Sequence, residues 1–502
     1  MHIGENVDVI ANARIAGEGR ELLAHPLAAR DGLFDLWMMR GRIADIAPAR
    51  AIRARGAVLD AEGAWVVPGL WDHHAHVLQW ALASTRPSVE HAGSAEEASA
   101  RAAEIAPQPD GRRVLSRLAW ALWTEEPTRA VLDAVTGHVP TYLLGVDVHS
   151  VWMNEAAFRR EGIAPTESGL VREAIAFEVI DRLDDVEGSV ADAAHADAAR
   201  RAAARGVVGV WDLEFGENHA PWRRRADAGW DALRVFSNVY PDGLDAVLAQ
   251  RLETGDPLSQ NPLVRLGMLK VIGDGALASR TAATSHDYDG HPHHRGALAV
   301  TPAEMAELVA RAAAGGIATT IHAIGDAANT AALDAFARCA VPGRIEHAQL
   351  LGATDIPRFA RLGIDASVQP QHLVDDRDLA DGLWASQPAR PYALRDLRDA
   401  GANLLFGSDA PVSPLDPWIQ MSAAVFRTDD DRDPWQPGQA LDARTALAAS
   451  TEGGSGDPAA IEPGAVADLA IVGHDPLAAT RDELRAMPVN ATMIAGRLTH
   501  VA

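Results

Sequence analysis

The sequence predicts an α/β protein: a closed (β/α)8 barrel in the middle of the chain and a small β domain drawn from both ends. Three observations predict it. Strand-like and helix-like segments alternate through the middle, as parallel strands joined by crossover helices require. The two ends carry short strands with glycine-containing turns and no helical period. At 502 residues the chain is long enough for one large barrel with additions.

Taken in order, VDVIANARIA and FDLWMMRGRIADIA open the chain as strands, and GAVADLAIVGHDP and ATMIAGRLTH close it. Residues 1–65 and 452–502 are therefore expected to form the β domain, and residues 66–451 the barrel. The apolar run over residues 64–70, bounded by Gly63 and containing Pro68-Gly69, reads as one short strand leading into WDHHAHVLQW. Residues from about 85 to 205 follow the alternation less cleanly and are expected to form an insertion that shapes or covers the site. Thr301-Pro302-Ala303-Glu304 is a helix start, with Thr as N-cap, Pro at the first position and Glu completing a capping box. Met305, Leu308, Val309 and Ala312 continue as an apolar stripe that Gly315-Gly316 ends. IATTIHAIG then reads as a strand, and a helix runs from about Asp326 to Cys339. RIEHAQ, IDASVQP and NLLFGSD continue as strands.

Composition excludes several classes. Hydrophobic residues at 48% with 23% charged fit a soluble globular protein, and no segment approaches a membrane span. The N-terminus lacks the basic-then-apolar layout of a secretory signal, so a cytoplasmic location is expected. A single cysteine, Cys339, rules out an internal disulfide and any thiolate cluster, leaving His and carboxylate as metal ligands. The net charge of -24 argues against nucleic acid or an anionic membrane as the main partner. A small molecule is the expected partner, and self-association stays open. Trp71, Trp80, Trp120 and Trp123 suggest an apolar or aromatic group beside the reacting bond, or else simple packing.

Lysine usage is the most informative count. Lys270 is the single lysine, so 44 of the 45 basic residues are arginine. Its retention inside LGMLKVIG points to chemistry that needs a neutral amine, which a guanidinium cannot supply. Along a strand, His74 and His76 share one face and His73 takes the other, so the first two could bite one metal ion or could be local polar contacts. Barrel sites form at the C-terminal ends of strands. Those ends carry His74 and His76, Lys270, His322, His347 and Asp409, a set hard to explain as scattered caps and structural histidines. The loop histidines His291, His293 and His294 read as solvated.

D-x-H-x-H after a Pro-Gly turn, K-x3-DG, HAIGDAA, RIEHAQ and GSDAPV together resemble the amidohydrolase superfamily. The nearest likeness is to the amidohydrolase-3 group, with its YtcJ-like proteins and N-substituted formamide deformylases. PTYLLGVDVHSVWMNEAAF, DGALASRTA and IEPGAVADLAIVGHDP extend the resemblance nearly end to end. It implies a distorted (β/α)8 barrel of TIM type flanked by a β-sandwich formed by both chain termini. It also implies a hydrolase cleaving a non-peptide C–N bond, most directly the amide or formamide of an N-substituted small molecule. By motif match, His74, His76 and Asp409 would hold one divalent ion, His322 and His347 a second, and Lys270 would bridge them as a carbamate. Zinc is the expected metal; a one-metal site and Glu173 as a rival bridge stay open. Asp409 would serve a metal-activated hydroxide as general base and then acid. His149 and Arg280 would orient the substrate or stabilise the oxyanion, although His149 could equally be a buried structural histidine. The alternatives are a deaminase or cyclic-amide hydrolase on the same site, and a non-catalytic metal-dependent ligand-binding protein.

Overall fold

The computed structural model describes residues 1–16, 32–51 and 55–502. Residues 17–31 and 52–54, part of the expected N-terminal β segment, lie outside the described residues. Eight parallel strands form the central sheet in chain order: β1 (Leu70–Ala75), β2 (Val207–Asp212), β3 (Arg234–Val239), β4 (Val264–Ile272), β5 (Thr319–Ala323), β6 (Gly343–His347), β7 (Ile364–Val368) and β8 (Leu404–Phe406). The sheet curls into a nearly closed barrel. Past the end of β8, the Asp409 N–H donates to the His74 carbonyl (2.6 Å), and the His76 N–H to the Ala410 carbonyl (2.9 Å). Pairing β4 to β5 sets Lys270 beside Thr320, and pairing β5 to β6 sets His322 beside Glu346, so these side chains share neighbouring layers.

The helices form where local chemistry dictates. Thr301 caps Pro302–Ala314 with the full capping box, and the helix ends at Gly315, before Gly316 turns through φ 78°. The helix Asp326–Cys339 buries Ala328, Ala332, Leu333 and Phe336 against the barrel.

Strands near both chain ends build a second sheet. Its order is Arg497–Val501, Val489–Ile494, Leu469–Val472, Trp65–Pro68, Val9–Ile15, Phe34–Met39 and Arg42–Pro48, with Val58–Asp60 beside Val9–Ile15. It folds over its own core of Ile10, Leu36, Ile43, Val66, Leu469 and Met493. The single strand expected over residues 64–70 is in fact two. Trp65–Pro68 pairs antiparallel with Leu469–Val472, whereas Leu70–Ala75 pairs with Val207–Asp212 in the barrel. Gly69 is the hand-over: a Cβ there would sit 2.6 Å from the Val208 side chain. The histidines thus begin inside the first barrel strand rather than after a strand.

Between β1 and β2, four strands form a further sheet in the order Leu170–Arg172, Ser150–Met153, Thr141–Gly145 and Arg113–Leu118, with apolar clusters of their own. Its residues Leu118, Val146 and His149 line a cavity together with His347 and Asp409 at the barrel mouth. Among the described residues no helix is long and apolar enough to cross a membrane.

Candidate active site

The barrel brings four of the predicted imidazoles and Asp409 together. His74 and His76 leave the end of β1, and their Nε2 atoms face the same Asp409 Oδ1 at 3.2 and 3.4 Å. The His347 ring lies 5.0 Å from that of His74 and 4.5 Å from that of His322, centroid to centroid. His73 looks the other way, donating through Nε2 to the Thr451 carbonyl at 2.8 Å; burial holds its pKa down to about 3. Two of these residues take unfavourable backbone conformations: His347 at φ 73° and Asp409 at φ 56°. Such strain persists where the surroundings over-determine it, and it clusters at functional sites. The turn at His347 lets it face the site even though Glu346, one residue earlier, also points inward.

Electrostatics sharpen this picture. Burial, with help from Lys270, pushes His74 below the usual imidazole range, so its ring is neutral. Its Nδ1–H donates to Glu346 Oε2 at 2.8 Å, which leaves a lone pair on Nε2. That lone pair faces the carboxylate of Asp409, whose Oδ1 also meets His76 Nε2 at 3.4 Å. A lone pair facing an anion at 3.2 Å is repulsive unless a cation lies between them. Two ligands of one tetrahedral zinc, each roughly 2.1 Å away, lie about 3.4 Å apart. The donor atoms of His74, His76 and Asp409 lie within 4.8 Å of one another, as do those of His347, His372 and Asp409. Among the described residues, the buried Lys270 Nζ, His76 Nδ1 and His347 Nδ1 have no hydrogen-bond partner. This chemistry fits a divalent ion held by imidazole and carboxylate. Burial lowers the Lys270 pKa to about 8, so an appreciable share of the amine is neutral near physiological pH.

His322 is held differently. Its Nε2 lies 3.3 Å from the Gly275 carbonyl and 3.5 Å from Asp274, whose carboxylate accepts the N–H groups of Ala283, Ile324 and Gly325. Asp274 thereby fixes the turn that follows His322. Glu173 accepts from His149 Nδ1 at 2.9 Å and from Ser279 Oγ at 3.0 Å, and it also bonds Thr281. Burial opposes both charges of the His149–Glu173 pair, yet their attraction raises His149 to about 9 and lowers Glu173 to about 2. His149 lines the cavity over the histidines, with its ring 5.7 Å from that of His322.

Arg280 is not brought to the site: its guanidinium pairs with Glu126, and it is absent from the cavity wall. Of the loop histidines, His293 and His294 are exposed and His291 is half-buried. Of the four tryptophans, Trp120 alone lines this cavity; Trp71 packs against Phe236, Trp80 lies under Arg201, and Trp123 donates to the Ala92 carbonyl. Cys339 ends its helix and its thiol contacts the Ala306 carbonyl.

The cavity above the histidines has a volume of about 260 Å³, and its wall includes His149, His347, His372 and Asp409. Sequence reasoning missed His372 and Glu346. His372 follows β7 in the stretch Gln369-Pro370-Gln371-His372, and a ligand-type residue just past a barrel strand was the available signal. Glu346 stands next to His347 in RIEHAQ, where strict alternation would turn it away.

Comparison with known proteins agrees with this geometry. A family model described as the amidohydrolase family matches residues 57–500. The chain is 28% identical over 431 residues to Protein LONG AFTER FAR-RED 3 of Arabidopsis thaliana, covering 78% of this chain and 73% of that protein. It is 26% identical over 511 residues to the N-substituted formamide deformylase of Arthrobacter pascens, covering 92% and 93%. The fold is also similar to the crystal structure of an uncharacterized metal-dependent hydrolase from Pyrococcus horikoshii OT3. That likeness has a TM-score of 0.77 at 24% identity, over 94% of this chain and 99% of the other.

Proposed function

Since the chain belongs to the amidohydrolase family and is a hydrolase, we propose that it cleaves the amide or formamide bond of an N-substituted small molecule with divalent metal, most directly zinc. The carrying observation is the convergence of His74 Nε2 and His76 Nε2 on one Asp409 oxygen, at 3.2 and 3.4 Å. The likeness to a formamide deformylase supports the substrate class.

In this reading His74, His76 and Asp409 would hold one ion and His322 and His347 a second, with Lys270 as a ligand shared between them. When bound, the ions would supply a nucleophilic water at neutral pH and polarise the carbonyl. Lys270 would serve there as a carbamate: its neutral amine forms an N–C bond to carbon dioxide and releases one proton, leaving a bidentate anion. Glu346 holds His74 by Nδ1 and so directs Nε2. Asp409 accepts the proton of the attacking water and returns it to the leaving nitrogen. His149, kept cationic by Glu173, is aligned to donate to the developing oxyanion.

The test is a panel of N-formyl and N-acyl amines with metal-reconstituted protein. Turnover of at least one class is expected, and Asp409→Asn should abolish it while metal content stays near normal. Full activity in that variant would remove Asp409 from the chemistry. Ammonia from heterocycles, with no acid from amides, would assign deamination instead.

A further inference from the structure

The cavity lining is of two kinds. Leu118, Trp120, Leu122, Leu277 and Val412 supply apolar surface. Asp375 and Asp376 also line the cavity, at the C-terminal end of the short helix Pro370–Asp375 that carries His372. Among the described residues neither carboxylate has an ion-pair partner within 4 Å. Their hydrogen bonds come from neutral groups: Asp375 accepts from Gln371 Nε2 and Ser413 Oγ (both 2.9 Å), and Asp376 accepts from Gln349 Nε2 (2.9 Å) and Tyr392 OH (2.6 Å). The cations nearby are engaged elsewhere. Arg117 grips Glu90, with Nε to Oε2 at 2.7 Å, and His149 is bonded to Glu173. His372, only 7% exposed, lines the same cavity, and among the described residues its buried Nε2 has no hydrogen-bond partner. His372, Asp375 and Asp376 do not bring three donor atoms within 4.8 Å of one another, which suits an extended organic cation better than a metal ion.

We infer that the substrate cleaved at Asp409 carries a second, protonated amine, joined to the scissile amide by a short apolar spacer and seated against Asp375 and Asp376. Apolar walls focus the field of the two carboxylates on such a group, and charge-assisted hydrogen bonds hold it. An N-formyl or N-acyl diamine has this chemistry. The inference rests on the reading of Asp409 as the point of cleavage, and two separate measurements keep the two ideas apart.

The first uses metal-reconstituted enzyme and three N-formyl alkylamines of equal chain length, ending in ammonium, hydroxyl or carboxylate. The ammonium compound should have a kcat/KM at least about tenfold above the hydroxyl compound, with the carboxylate poorest. The ratio should fall towards one in the isosteric double variant Asp375→Asn/Asp376→Asn, and should shrink as salt rises. A neutral substrate that matches the cation, or a ratio untouched by the double variant, overturns the inference. The second measurement is calorimetric binding of the free diamine and of the matching amino alcohol, which needs no turnover. Preferential diamine binding without any amide cleavage would leave the cation subsite standing and sink the proposed reaction. Equal binding of the two would sink the subsite whatever the enzyme cleaves.

Discussion

Gly407→Ala tests whether the seam of the barrel sets the geometry of the site. A Cβ at residue 407 would lie 2.6 Å from both the backbone nitrogen and the Cβ of His74, and 3.1 Å from its Cα. Ordinary contact begins at 3.4 Å, so the end of β8 and β1 must part by about 0.8 Å. The atoms met belong to backbone and Cβ, so no side chain can swing aside. The seam bonds are short: Asp409 N to His74 O at 2.6 Å, and Ser408 N to Asp72 Oδ1 at 3.0 Å. Parting the chains weakens or breaks them. Overpacking costs about 1–3 kcal/mol and each lost hydrogen bond about 1 kcal/mol more. The catalytic effect should be larger, because a displacement of roughly 1 Å can cost on the order of 100-fold in rate. The assay is kcat/KM on the best formamide together with urea unfolding and metal analysis. Gly382→Ala is the matched control: Gly382 is exposed in the helix Arg377–Leu383 with nothing within 4 Å, so alanine there should be neutral or stabilising. If Gly407→Ala keeps wild-type kcat/KM and metal affinity, contact across the seam does not set the His74–Asp409 geometry.

Three further outcomes follow from individual side chains. Lys270→Arg should lose the bridged pair, with metal affinity down by at least about 100-fold, and isotope-labelled bicarbonate should give a carbamate resonance in the wild type alone; intact stoichiometry and rate would dismiss the carbamate. Glu173→Gln and His149→Ala should each lower kcat by roughly 100-fold, and the double variant should be no worse than His149→Ala, because Glu173 acts through His149; loss of metal from Glu173→Gln would make Glu173 a ligand instead. His195 packs edge-on against Trp222, and burial lowers its pKa from 6.5 to about 4. The folded state therefore binds fewer protons than the unfolded state between these values, and the stabilising contribution, complete above pH 6.5, is lost as pH falls towards 4, by about 3 kcal/mol. Urea unfolding across that window should show His195→Phe losing less stability than the wild type; parallel curves would show that His195 does not titrate on unfolding.

How much of this was readable from the sequence depended on what sets each side chain's direction. His74, His76 and His73 were assigned to faces correctly because strand alternation is local, and one residue's direction follows from its neighbour's. Lys270 stood out by elimination, since selection against lysine elsewhere is visible in composition alone. The helix at Thr301 was legible because its capping box lies within four residues. The split of residues 64–70 was not, because the run is apolar throughout and its two halves are separated by partners near residues 207 and 470. No local signal tells a strand that it is changing sheets. Glu346 was hidden for a related reason: alternation predicts that it opposes His347, and only a backbone turn to φ 73° at His347 cancels that rule. Arg280 lay in a motif that suggested catalysis, yet its guanidinium goes to Glu126, 154 residues away in a loop between two strands of the inserted sheet. Position in a motif constrains the backbone; where a long side chain ends is decided by the nearest opposite charge in three dimensions. By the same logic Asp375 and Asp376 drew no notice in DDRD, which reads as a solvated charge run. What distinguishes them is that, among the described residues, no cation is paired to them in their cavity, a property that exists only once the barrel has closed.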